Sequence, residues 1–254
     1  MSANAAATPS SALGPSERTA MADDLRSLAA LFDREADASL VEALRGRRFP
    51  GVRVLGRSPE SDEAARTLDA VLAGLDDTMP AEAQDELAAD YAAIFLNHAL
   101  GASPSESVWI DADGLAWQGP MFEVRAWYRR YGLRVPDWRT RADDHLVAEL
   151  HFVEILLRRT ADPRALDDLA RFLDEHLLRW LPSFAARVAA RCATRFYASA
   201  VVLARSAVDE LRERLVVPTG RPRPTREEID RRTNAARPTP VAPIAFVPGN
   251  GPGW

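Results

Sequence analysis

A chain of 254 residues that is 47% hydrophobic and 27% charged has the balance of a globular domain rather than of a disordered polymer, and no apolar run in it has the length of a membrane span. One cysteine, Cys192, excludes an internal disulfide framework and a cysteine-built zinc site, while the absence of lysine excludes Schiff-base chemistry and the P-loop. The net charge of −5 divides into about +3 over residues 221–237 and −8 elsewhere, and an acidic body argues against nucleic acid as the main partner.

Residues 1–20 are small, polar and proline-bearing, with neither a charged start nor an apolar stretch, and are expected to be a disordered N-terminal extension rather than a secretory signal. From 21 to 216 nearly every segment has helical periodicity. Leu25, Leu28, Ala29 and Phe32 fall on one face; a short helix follows around 40–44. Ser61 is the expected cap of the next helix, whose stripe is Ala64, Leu68, Val71, Leu72 and Leu75. Pro80 opens a helix carrying Leu87, Tyr91, Ile94 and Phe95. Residues 101–119 form a long irregular stretch, and a connection of that length inside a helical domain is more often functional than idle. Helices are predicted again over 120–131, 140–159, 163–178, 180–192 and 196–215, with Pro182 in a first turn. VRVL and VWID are the only strand candidates. After 217 the chain becomes Pro/Gly/Arg-rich and loses periodicity; it reads as a tail that docks, if at all, through Ile244, Phe246 or Trp254. The expected architecture is all-α: a single globular helical domain of about eight to ten helices over 21–216, flanked by disordered ends over 1–20 and 217–254.

The densest chemistry lies in RADDHLVAELHFVE, residues 141–154. On a helix His145 and Glu149 share a face, but His151 points away, and the di-iron pattern of Glu followed three residues later by His fails because Phe152 stands there. No third zinc ligand and no nucleophile elbow are present, so neither a metal nor a catalytic residue is assigned. Thr140 is the expected N-cap, with Asp143 completing a capping box, and Leu146, Leu150, Val153 and Leu157 supply the buried stripe. That leaves Asp144 and His145, read as a carboxylate steadied by an imidazole and suited to accept guanidinium groups. The alternative is a small helical enzyme using the same two residues as an acid–base pair, with a metal through Glu149.

Four segments taken in order carry a resemblance: DYAAIFLNHALG (90–101), PSESVWIDADG (104–114), FEVRAWYRRYGL leading into RADDH (141–145), and FLDEHLLRWLPSFAARVAARCATRFYASAVVLAR (172–205). Together they resemble the TorD/DmsD-like maturation chaperones of dimethyl sulfoxide reductase-type molybdenum enzymes. The resemblance implies a cytoplasmic, non-catalytic protein without a cofactor or metal of its own. Its partner would be a molybdoenzyme catalytic subunit, whose twin-arginine leader it binds while assisting folding, cofactor insertion and export. Either a monomer or a domain-swapped dimer fits, with no nucleic acid and no stable membrane insertion. A basic, apolar leader needs acids beside aromatic surface. The expected peptide-binding residues are therefore Asp144 and His145, the aromatics Tyr91, Trp109, Trp117 and Trp127, and the acids Glu106, Asp111 and Glu123. One departure stands out: Arg141–Ala142 replaces the family's Glu–Pro, putting a cation where an acid is usual.

Overall fold

The computed structural model describes residues 13–75, 80–111, 113–136 and 139–236. Their order is α1 (Pro15–Asp33), α2 (Ala38–Gly46), α3 (Pro59–Gly74), α4 (Ala81–Tyr91), α5 (Ser107–Ile110), α6 (Gly119–Arg130), α7 (Leu146–Arg158), α8 (Ala165–Phe172), α9 (Leu178–Arg191), α10 (Arg195–Arg214), α11 (Val216–Thr219) and α12 (Arg226–Ala236). No strand occurs among the described residues; the only β pairing there is one bridge between Ser105 and His145. The main unit runs through Arg223, and α12 belongs to a second unit that starts at Pro224.

The predicted stripes are the core. Leu25, Leu28, Ala29 and Phe32 of α1 are buried, α7 buries Leu146, Leu150, Val153 and Leu157, and these two helices pack along each other. α10 packs on α3 and α9, and α7 also touches α8. Phe152 of α7 anchors an aromatic cluster, its ring centroid 4.7 Å from that of Phe172 and 5.0 Å from that of Tyr128. Removing such a ring typically costs about 3–5 kcal/mol.

Charged side chains do what regular secondary structure cannot, by satisfying loop and helix-end backbone groups. Asp24 of α1 accepts from Val54 N (2.7 Å) and Leu55 N (2.9 Å), so the VRVL segment spends these amides on a carboxylate and is no strand. Asp90 of α4 accepts from Ala193 N (2.9 Å) and Thr194 N (2.6 Å) at the start of α10. The Arg18 guanidinium donates to Leu157 O (2.9 Å) and Leu156 O (3.1 Å), closing the carbonyl end of α7 where a cation suits the helix dipole.

That contact corrects the first boundary. Residues 15–20, expected to be disordered, are helical because Arg18 is held inside; residues 1–12 lie outside the described set. Other boundaries move for equally local reasons. Ser58, not Ser61, caps α3 by accepting from Ser61 N at 3.2 Å, and Pro59 takes the first helical position. VWI is the helical turn α5 rather than a strand. Helix α7 starts at Leu146, six residues later than expected, and its N-cap is His145, not Thr140. Between α8 and α9 the chain never leaves helix: a wide π-turn over Leu173–Leu177 joins them, which places Pro182 inside a helix instead of in a first turn.

The stretch after 217 is also more ordered than expected as far as it is described. Arg212, fully buried, pairs with Asp174 (2.8 and 2.9 Å) and reaches on to the carbonyls of Arg221 (3.3 Å) and Pro222 (3.1 Å). Arg221 and Arg223 then pair with Asp167 (3.0 Å) and Asp209 (2.7 Å). In the second unit, Thr225 and Glu228 form a reciprocal capping box for α12, Thr225 N donating to the Glu228 carboxylate at 2.9 Å and Glu228 N to the Thr225 hydroxyl at 3.3 Å. Ile244, Phe246 and Trp254 lie outside the described residues.

Candidate functional site

The irregular stretch between α4 and α6 is pinned at its base. Ser107 donates both its N–H (2.7 Å) and its hydroxyl to Oδ2 of Asp144, Glu106 N donates to Asp144 O (3.0 Å), and Leu146 N donates to Pro104 O (2.8 Å). Asp144 is fully buried, and burial pushes its carboxyl above the ordinary aspartate range against the pull of Ser107. His145 faces a different duty. Its Nδ1 accepts from Val147 N (3.2 Å), which requires an unprotonated Nδ1, and burial pulls its pKa down to about 3. The two residues are neighbours in sequence but serve separate partners, so the expected carboxylate–imidazole pair is not formed.

Beneath them lies an acid cluster within the helical core. Glu106 and Glu149 of α7 are both fully buried there, and each carboxyl shifts the titration of the other. Burial first, then repulsion from Asp144 on both and from Glu106 on Glu149, pushes the two glutamates well above the usual range. His176 Nδ1 sits 3.0 and 3.1 Å from the Glu106 oxygens, and Trp180 Nε1 donates to Glu149 at 3.3 Å. Burial lowers the His176 pKa to about 4, so near pH 7 the imidazole is neutral where it meets Glu106. One oxygen each of Asp144 and Glu149 is buried without a hydrogen-bond partner. No group of His, Cys, Asp and Glu among the described residues is arranged to hold a metal. The Cys192 thiol, pushed up to about 11 chiefly by burial, is no nucleophile at neutral pH.

The expected peptide-binding residues therefore divide. Asp144, His145, Glu106, Tyr91 and Trp127 are buried in this structure, away from the exposed surface. Tyr91 donates to Asp33 O (3.0 Å), and Trp127 carries the guanidinium of Arg130 over its ring at 4.6 Å. Trp109 is half-buried; its indole donates to Ser103 O (2.8 Å) and its ring lies under Arg187 at 4.5 Å. Asp111 and Glu123 are half-buried, and Trp117 is 41% exposed. Arg141 pairs with Asp33, and Asp143, expected in a capping box, is instead buried beside Arg125 at 2.7 Å.

Two residues were missed. Leu115 (56% exposed) and Phe122 (55%) join Trp117, so that three of the six large exposed hydrophobic side chains among the described residues fall within positions 115–122. Phe122 was findable: it falls off the buried Met121–Val124–Trp127–Tyr128 stripe of α6. Trp117 has φ +65°, a left-handed conformation that costs a non-glycine residue roughly 1–2 kcal/mol. Strain held at an exposed aromatic ring points to use.

The profile of the nitrate reductase delta subunit family matches residues 59–186. The chaperone protein TorD of Vibrio vulnificus is 35% identical over 130 residues, 48% of this chain and 60% of that protein. The TorD of a Psychrobacter species is 28% identical over 205 residues, 78% of this chain and 92% of its own length. A perchlorate reductase assembly chaperone protein of Dechloromonas aromatica is 34% identical over 99 residues, 36% of this chain and 44% of that protein.

Proposed function

The chain belongs to the nitrate reductase delta subunit family of TorD-like chaperones, and from that premise we propose that it is a non-catalytic maturation chaperone which binds the twin-arginine leader of a molybdoenzyme subunit at the tip of the 101–119 loop. The observation that carries this reading is the exposed residues Leu115, Trp117 and Phe122, next in sequence to the acids Asp111, Asp113 and Glu123 and following a 104–107 segment pinned to Asp144 and Leu146. A leader offers an apolar stretch and guanidiniums; apolar and aromatic side chains beside carboxylates are their complement. The protein's own arginines already use the mode, since Arg125 lies over the Phe122 ring at 5.3 Å.

In this reading Trp117, Asp111, Glu123 and Trp109 meet the peptide. Asp144, His145, Glu106, Tyr91 and Trp127 act by holding the loop and the helices beneath it. Binding takes place in the cytoplasm, before export, and supports folding and cofactor insertion in the client. No helix among the described residues is long and apolar enough to cross a membrane.

Titration calorimetry with a synthetic leader peptide tests the proposal. Trp117→Ala with Phe122→Ala is expected to weaken binding by about thirtyfold, the loss of a hot spot worth roughly 2 kcal/mol. Affinity should also fall with added salt. Unchanged affinity in the double variant, with an unchanged melting curve, would remove this loop from the site.

A further inference from the structure

Two adjoining cavities open around the C-terminal half of α6 and the 132–136 turn, and the charge in their lining is opposite to that of the loop. One, of about 530 Å³, is walled by Tyr128, Val147, Phe152 and Ile155, with Arg134 and Arg141 in its lining. The other, of about 670 Å³, is lined by Arg125, Arg129, Arg134 and Asp143. They share Tyr128, Leu133, Arg134 and Val135, so the 132–136 turn forms a common apolar wall between them. In a chain of net charge −5, this convergence of arginines is a local reversal.

The charges in the lining are unevenly matched. Asp33 is engaged by Arg141, Asp143 by Arg125 at 2.7 Å, and His151 sits 3.1 Å from Glu154. Among the described residues no lining acid is left for Arg129 or Arg134, both exposed. The start of α7 also reaches this wall, but the Val147 N–H there is already given to His145. A helix N-terminus that is capped offers a phosphate no free amide from that position. What remains is two guanidiniums over an extended apolar wall, which fits carboxylates carried on an apolar chain.

We propose that this double cavity is a second docking surface, taking an acidic, apolar peptide segment of a partner protein. Guanidiniums Arg129 and Arg134 engage its carboxylates while Leu133, Val135 and Ile155 cover its apolar side chains. A basic leader is repelled here, so the two surfaces sort segments of opposite charge. The proposal rests on the cavity linings and not on the leader reading, and the residues tested, Arg129 and Arg134, are outside the leader site.

Fluorescence anisotropy on the full chain tests it, with a labelled short peptide alternating glutamate and leucine, the same peptide with glutamine for glutamate, a leader peptide, and inorganic triphosphate as competitor. The glutamate peptide should bind best and lose about tenfold or more in affinity to Arg129→Glu/Arg134→Glu, with leader binding and melting temperature unchanged. The milder Arg129→Gln/Arg134→Gln variant should show a smaller loss in the same direction. Equal binding of the glutamate and glutamine peptides would overturn the proposal, as would an unaltered affinity in the charge-reversed variant. Binding of triphosphate alone, with neither peptide retained, would overturn it in favour of a small-anion site.

Discussion

The 101–119 loop and the 132–136 turn precede and follow α6 in the chain and handle charge in opposite ways. Under the loop, acids are gathered inside: Asp144 holds Ser107, and burial favours the protonated forms of Glu106 and Glu149. Around the turn, arginines gather at the surface, and the nearby acids Asp33 and Asp143 are taken up by Arg141 and Arg125. Buried charge here builds a rigid platform, and exposed charge of the other sign builds a surface with capacity left over. A polar residue's place in a motif therefore says less about its task than its depth does.

The largest expected effect comes from taking away the platform. Asp144→Ala leaves the Ser107 N–H and hydroxyl buried without their acceptor and should cost about 3 kcal/mol in urea unfolding, together with leader binding. Asp144→Asn, which retains an accepting oxygen, should recover much of both. A loop that kept its affinity without Asp144 would break the contrast between platform and surface.

A smaller effect is expected on the other side. Asp143→Ala releases Arg125, whose side chain is partly exposed, so about 1–2 kcal/mol of stability should be lost rather than the full value of a buried pair. The acidic peptide should bind this variant more tightly, because the lining loses a carboxylate. Weaker binding would mean that Arg125 must stay paired to shape the wall.

The subtlest test is pH. The raised Glu106 and Glu149 pKa values mean that the native state holds protons the unfolded chain gives up. Their contribution is complete below the ordinary glutamate pKa and is lost as pH rises toward the native values. His145 and His176, lowered to about 3 and about 4, work the other way: their contribution is present above the ordinary histidine pKa of 6.5 and is lost as pH falls. Melting temperatures across pH should show Glu149→Gln flattening the alkaline side and His145→Asn, which keeps a capping oxygen, flattening the acid side. An unaltered profile in both variants would detach the cluster from stability.

How much of this was legible in sequence follows from which signals are periodic. Leu25 to Phe32 and Leu146 to Leu157 repeat at helical spacing, so the all-α fold and its core could be read directly. Polar residues carry no such phase. Glu106 in an irregular segment gives no sign that it is fully buried, and Asp144 and His145 could be singled out as special without revealing that they face inward. Thr140 is the better cap by residue preference, yet residues 142–145 are held out of helix because Asp144 O and His145 bond across to the 104–107 segment. A long-range pairing overrode a local propensity. Arg18, Asp90 and Arg212 were silent for the same reason: their partners lie far along the chain.

The left-handed backbone at Trp117 has a consequence for selection. A library randomised at this position and sorted for thermostability alone should drift toward glycine or asparagine, which adopt that conformation at less cost. The same library sorted for client maturation should return to a large aromatic residue. The distance between the two winners would measure how far this position is set by work rather than by folding.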